Sequence, residues 1–156
     1  MGALSILVVT DMEPMRNEIQ NLLDDSGCNV TLCPYVEEAD RLLSSGIRCN
    51  AIVLDIGLLE RGNPEFWRNK NLNTFWKSIP IVPFISELPE VNELGVQWKS
   101  LVEKFGMIGA YDIVSRTPEE LILVLGVALS QAGVSLPELY KNISSQFRNI
   151  SKPPYN

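Results

Sequence analysis

Apolar residues follow two alternating patterns along this chain. Short uninterrupted runs, rich in valine and isoleucine, are typical of strands that are covered on both faces of a parallel sheet. These runs predict strands at residues 5–9, 29–32, 51–55, 79–85 and 110–114. Between them, apolar residues recur at the spacing of a helix face. The predicted helices cover residues 14–25, the segments from Val36 to Gly46 and from Val91 to Gly106, and residues 118–132.

Strands that alternate with helices imply parallel pairing through right-handed crossovers. We therefore expect an α/β fold with a doubly wound, five-stranded parallel sheet in the order 2-1-3-4-5. Pro83 conflicts with an inner position of the fourth strand, because proline lacks an N–H donor, and it predicts a bulge or early fraying there. For residues 59–78 we expect an irregular stretch, in which Pro64 predicts the start of a further helix.

The helix at residues 118–132 is apolar on nearly all sides. If only one of its faces packs on the sheet, Ile122, Leu123 and Val127 are left uncovered. A second apolar stripe follows, from Leu136 to Ile150, and predicts a C-terminal amphipathic helix. We divide the chain into a domain at residues 1–132 and a helical extension or linker at 133–156. The extension folds back on the domain, forms a homodimer seam or begins a linker to a further region, and the sequence leaves these alternatives open.

Composition narrows the range of functions. The chain of 156 residues has a net charge of -6, which disfavours direct nucleic-acid binding, because a duplex requires a basic face. It contains no histidine, which excludes histidine-based catalysis and histidine-ligated zinc. No apolar run approaches the ~18 residues of a membrane span, so we expect no membrane association. Three cysteines without metal-ligand spacing and the lack of a signal-peptide pattern predict a reduced, cytoplasmic protein.

Two carboxylates stand where the first and third predicted strands end. Asp11 follows the first of these strands and Asp55 closes the third. Ligands bind at the carboxyl ends of parallel strands, so both acids are expected at one site suited to phosphoryl transfer or to Mg²⁺. The alternative for Asp11 is a helix-capping role ahead of Pro14.

These segments together resemble a bacterial response-regulator receiver domain over roughly residues 4–130. The resemblance rests on four stretches, ILVVTDMEP, IVLDIGL, IPIVPFIS and AYDIVSRTPEEL. It implies the flavodoxin-like order 2-1-3-4-5 and makes Asp55 the acceptor of a phosphoryl group from a histidine kinase. It also implies a Mg²⁺ site formed by Asp11, Asp55 and the carbonyl of Gly57.

The sequence departs from the receiver pattern at four positions, so the resemblance is to an atypical receiver. Thr10 replaces the first acid of the metal-binding pair, with Glu13 as a further candidate ligand. Ile85 replaces the signalling hydroxyl, and Ser86 is a candidate displaced hydroxyl. The two departures near the fifth strand are Arg116 in place of the motif's lysine and Ile113 in place of the switch aromatic.

Two functions are compatible with this pattern. The first is a phosphorelay receiver whose chemistry is limited to phosphorylation and dephosphorylation of Asp55, and which is otherwise not an enzyme. Its partners are a sensor histidine kinase or phosphotransfer protein and a downstream protein that binds through residues 90–132. The alternative is a pseudo-receiver, a protein-interaction module without phosphorylation. A homodimer fits either function.

Overall fold

The computed structural model describes residues 4–25, 27–61, 79–85, 91–105, 115 and 117–131. Strands and helices alternate along these segments. Their order is β1 (Ser5–Val9), α1 (Glu13–Asp25), β2 (Asn29–Cys33), α2 (Val36–Ser44), β3 (Ala51–Asp55), α3 (Leu58–Arg61), β4 (Ile81–Phe84), α4 (Val91–Phe105) and α5 (Pro118–Gln131).

The four described strands form one parallel sheet in the order β2-β1-β3-β4. This confirms the predicted order as far as the fourth strand. From β1 the chain moves outward to β2 on one side, and from β3 it moves to β4 on the other. The direction of winding therefore reverses between β1 and β3, and a crevice at the carboxyl ends of these two strands is where open α/β sheets bind ligands.

Buried residues form one apolar layer on each face of the sheet, as the uninterrupted apolar strands predict. On one face, α2 and α4 cover residues that include Leu7, Ile52 and Leu54, with Trp98 of α4 fully buried. On the other face, α1 and α5 cover residues that include Val8 and Val53. Because side chains two residues apart in a strand point to the same face, Asp55 lies on the same face as Val53, which α1 and α5 cover.

Local chemistry sets the helix ends. Gly27 and Gly46 adopt positive φ angles of 81° and 102° just after α1 and α2, a conformation that glycine reaches without a Cβ clash. At the start of α5, the Glu120 backbone N–H donates to Thr117 Oγ1 at 3.1 Å, which confirms Thr117 as the N-cap.

Pro83 is accommodated in β4 without a bulge. The pairing of β4 with β3 is continuous, with Leu54 opposite Pro83. The carbonyl of Phe84 faces β3 and accepts from the Ile56 N–H, whereas the carbonyl of Pro83 faces away from β3 and accepts from the Ser115 N–H. In a parallel strand the N–H and C=O of one residue point toward the same neighbour, so the donor that proline lacks would not have paired with β3. The predicted bulge or early fraying at Pro83 is therefore wrong for the pairing of β4 with β3, which continues to Phe84.

The apolar surface of α5 is covered within the single chain. Ile122 and Leu123 are each only 3% exposed, and Val127 is half-buried. The sequence predicts an uncovered patch only if a single face of this helix is packed, and the chain itself removes nearly all of the aliphatic surface of Ile122 and Leu123 from water. A dimer seam through these two side chains would have to displace contacts that the chain already makes.

Several predicted features lie outside the described residues. They are the strand at 110–114, the helix after Pro64 and the C-terminal extension at 133–156. Ser115 nevertheless forms an isolated parallel bridge with Phe84, on the side of β4 opposite β3. Within the part of the chain that is described, no helix is long and apolar enough to cross a membrane.

Candidate functional site

Asp55 lies at the carboxyl end of β3 and is completely buried. Its exposed fraction is 0%, equal to that of Thr10, which follows β1 directly. Val9 pairs with Leu54 in the sheet, so the next residue of each strand continues the same row. Strand pairing alone therefore places Thr10 beside Asp55.

Both oxygens of the Asp55 carboxylate accept hydrogen bonds. The Thr10 hydroxyl donates to Oδ2 at 2.8 Å, and the Gly57 backbone N–H donates to Oδ1 at 2.9 Å. The Thr10 oxygen in turn accepts the Met12 N–H at 3.1 Å. Asp55 thus connects the turn after β3, through Gly57, with the turn that leads from β1 into α1.

These contacts stabilise the ionised form of a carboxylate that has no exposure to water. Hydrogen bonds to a charged group are stronger than neutral ones, and a buried charge without them would carry a large desolvation penalty. Thr10 and Gly57 consequently act as structural partners of Asp55, whatever else the site does.

The other predicted site residues differ in how deeply they are buried. Asp11 is half-buried, and Glu13 is exposed in the first turn of α1. Gly57 is buried and contacts Asp55 through its N–H. Ser86 and Arg116 lie outside the described residues.

The apolar residue at the signalling position is Ile85. It is 3% exposed and packs in the core layer on the α2 and α4 side of the sheet. Its N–H donates to the Ser115 carbonyl at 3.0 Å. An isoleucine in this packed position offers no hydroxyl to a ligand at Asp55.

The donor set around Asp55 does not fit a divalent cation in the arrangement observed. Mg²⁺ uses carboxylate oxygens and retains several waters, which require room. Asp55 is fully buried, and the proton of the Thr10 hydroxyl points at Oδ2. No group of three or more acidic, cysteine or histidine side chains suited to a metal occurs among the described residues.

Ser115 is a feature of this region that the sequence did not reveal. It bridges Phe84, which itself pairs with Asp55, so all three lie in one row across the sheet. Ser115 is fully buried, and its hydroxyl has no hydrogen-bond partner among the residues described. Adjacent strands are about 4.8 Å apart, so Ser115 and Asp55 are separated by about 10 Å and do not contact each other directly.

Comparisons with known proteins define the fold. No family model matches the sequence, and no curated protein matches it. Among solved structures, the chemotaxis response regulator CheY4 of Vibrio cholerae is similar with a TM-score of 0.57 and 22% identity, over 81% of this chain and 99% of that one.

Two further structures are similar over more of this chain. The signal receiver domain of an HD domain-containing protein from Pseudomonas fluorescens Pf-5 has a TM-score of 0.55 and 16% identity, over 96% of each chain. A LuxR-family two-component response regulator from Aurantimonas sp. SI85-9A1 has a TM-score of 0.56 and 20% identity, over 94% of this chain and 99% of that one. The predicted resemblance is confirmed at the level of the fold, and the chain has the architecture of a receiver domain.

Proposed function

We propose that this chain is a receiver-like signalling module that acts by binding another protein, and that Asp55 is not phosphorylated in the state described here. The fold supports the signalling role. One observation supports the second part, namely that Asp55 is fully buried with both carboxylate oxygens already hydrogen-bonded.

The hydrogen bonds of Asp55 disfavour phosphorylation, because breaking them costs free energy. A carboxylate attacks phosphorus through a free lone pair in line with the leaving group, so one oxygen must be accessible. Opening the site breaks the bond from Thr10 to Oδ2. A hydrogen bond to a charged group contributes about 1.5–3 kcal/mol. The loss of this contact alone therefore reduces the population of the open state roughly 10- to 150-fold.

The partner surface in this proposal includes α4. Val96 on this helix is 70% exposed, in contrast to the buried Ile122 and Leu123 of α5. Of the predicted output region at residues 90–132, the described part that offers apolar surface to a downstream protein is therefore on α4.

A second candidate is the phosphorelay receiver. It is favoured by the position of Asp55 at the end of β3, beside the end of β1, where the receiver pattern requires an acceptor. In that case a histidine kinase or phosphotransfer protein is the phosphodonor. Asp11, Asp55 and the Gly57 carbonyl are then the proposed cation ligands, with Glu13 as a further one.

Incubation with a small phosphodonor and Mg²⁺, followed by intact-mass measurement, separates the two candidates. A receiver of established activity serves as the positive control, and Asp55→Asn serves as the matched negative control. We expect no phosphoryl adduct on the unaltered chain. An adduct that disappears in Asp55→Asn would establish the phosphorelay receiver instead.

A further inference from the structure

We infer that the Thr10 hydroxyl takes the place of a bound divalent cation at Asp55, so that the site is cation-independent and the identity of residue 10 controls this property. The inference deepens the proposed function and rests on it, because a site that holds Asp55 without a cation also lacks the cation that phosphoryl transfer would use.

The first step of the argument is geometric. The Thr10 hydroxyl occupies the space between the ends of β1 and β3 and donates its only proton to Asp55 Oδ2 at 2.8 Å. The same oxygen accepts the Met12 N–H, which fixes the direction of the O–H bond. A cation that approached Oδ2 would meet this proton, so binding would require the hydroxyl to rotate and its bond to Asp55 to be lost.

The second step concerns charge. A buried carboxylate requires compensation by donors or by a cation. Here Thr10 and Gly57 both donate to Asp55, and neither brings a further negative charge. With aspartate at position 10, the donor to Oδ2 would be replaced by a second carboxylate beside a buried one. Like charges at such a distance raise each other's free energy, and a divalent cation relieves this repulsion.

The prediction follows that Thr10→Asp creates a cation requirement that the natural chain lacks. For the unaltered chain, about 10 mM Mg²⁺ is expected to leave the melting temperature unchanged relative to chelator. For Thr10→Asp, the melting temperature should fall in chelator. It should rise by about 3 °C or more with Mg²⁺, because a free Mg²⁺ concentration of roughly ten times the dissociation constant stabilises the folded state by that amount.

Two matched variants isolate the hydroxyl. Thr10→Ser retains the donor and should remain indifferent to Mg²⁺. Thr10→Val removes the donor without adding a carboxylate, so it should be less stable than the natural chain and should respond to Mg²⁺ less than Thr10→Asp does. A response of Thr10→Val to Mg²⁺ as large as that of Thr10→Asp would overturn the role assigned to charge.

A second measurement remains decisive if Thr10→Asp does not fold. Mn²⁺ broadens amide NMR signals near its binding site, so the unaltered chain can be titrated directly. We expect no selective broadening at residues 10–12 and 55–57 below about 1 mM Mn²⁺, a range in which carboxylate sites with several ligands bind. Selective broadening there would refute the inference, and so would a folded Thr10→Asp variant that gains no affinity over the natural chain.

These outcomes are distinguishable from failure of the proposed function. A phosphoryl adduct on Asp55 without any Mg²⁺ or Mn²⁺ response would contradict the proposed function and leave the cation inference standing. Mn²⁺ binding at these residues without an adduct would contradict the inference and leave the protein-binding function standing.

Discussion

Replacing Thr10 by valine tests the central hydrogen bond with almost no change of shape. The substitution removes a buried hydroxyl that donates to Asp55 Oδ2 and accepts from the Met12 N–H. Losing a hydrogen bond to a charged group costs about 1.5–3 kcal/mol, and the loss at the partly buried Met12 amide adds about 1 kcal/mol. The additional buried methyl group offsets about 0.8 kcal/mol. The expected net loss in the free energy of unfolding is about 2–3 kcal/mol.

Urea unfolding followed by circular dichroism and tryptophan fluorescence measures this loss. Coincident transitions from the two probes would justify a two-state treatment. With an m value of about 2 kcal/mol per molar urea, the midpoint should fall by roughly 1 M or slightly more. Thr10→Ser is the matched control. It keeps the hydroxyl and loses one buried methyl group, so it should lose only about 1 kcal/mol.

A double-mutant cycle with Asp55→Asn assigns the effect to the contact itself. Residues that interact directly show coupling energies of about 0.5–3 kcal/mol, whereas distant independent residues add. We expect coupling of at least about 1 kcal/mol between the valine and asparagine substitutions. Additive effects, or a valine variant as stable as the natural chain, would refute the claim that Thr10 supports Asp55.

Three further predictions concern the scaffold. Pro83→Val should change the free energy of unfolding by less than about 1.5 kcal/mol in urea, because no β3 hydrogen bond depends on residue 83, and a larger loss would contradict the pairing described. Burial raises the pKa of Cys33 and Cys49 to about 11 from an ordinary 9.0, so the unfolded chain loses thiol protons first and stability should fall between pH 9 and 11. In Cys49→Ala the urea midpoint should decline less between pH 9 and 11 than in the natural chain. An equal or larger decline would show that the thiols do not cause the loss of stability. Leu123→Ala should lower the free energy of unfolding by about 2–5 kcal/mol, because Leu123 is buried. Val96→Ala, at a side chain that is 70% exposed, should change it by no more than about 0.5 kcal/mol. Equal effects of the two substitutions would contradict the burial of Leu123.

Much of the scaffold could be predicted from the sequence because its strands are covered on both faces. The apolar run at residues 51–55 ends in a charged residue, and the structure has β3 at Ala51–Asp55. Glycines at positions 27 and 46 likewise marked the helix ends, since their positive φ angles favour glycine. These features are local, so the residue types that cause them are adjacent in the chain.

Features that depend on orientation were missed. For Pro83, no sequence pattern indicates which neighbouring strand its backbone faces, and that direction decides whether a donor to β3 is lost. For Leu123, helical spacing identified an apolar face but could not determine how many sides of the helix are covered. The isolated bridge of Ser115 depends on pairing between segments that are distant in the chain.

The contact between Thr10 and Asp55 shows the same limit at the candidate site. In the sequence, Thr10 was interpreted only as an acid lost from a metal-binding pair. The pairing of Val9 with Leu54 brings the residues that follow them, Thr10 and Asp55, together. Only this pairing shows that Thr10 donates a hydrogen bond to Asp55. A substitution that removes a charge can therefore also supply the hydrogen bond that the remaining charge requires.

The contacts of Asp55 also determine what phosphorylation would disturb if it occurred. A phosphoryl group on Oδ2 would displace the Thr10 hydroxyl, and a movement of the Thr10 oxygen would weaken the bond that it accepts from the Met12 N–H. Met12 accepts the first helical bond of α1, from the Arg16 N–H at 2.9 Å, so the disturbance would reach the start of that helix. On the β4 side, Ile85 has no hydroxyl that a phosphoryl group could draw toward Asp55. A ligand shifts a conformational equilibrium only through contacts that differ between the states. Among the described residues, the contacts of Thr10 at the junction of β1 and α1 would differ between the states, whereas Ile85 offers no such contact on the β4 side.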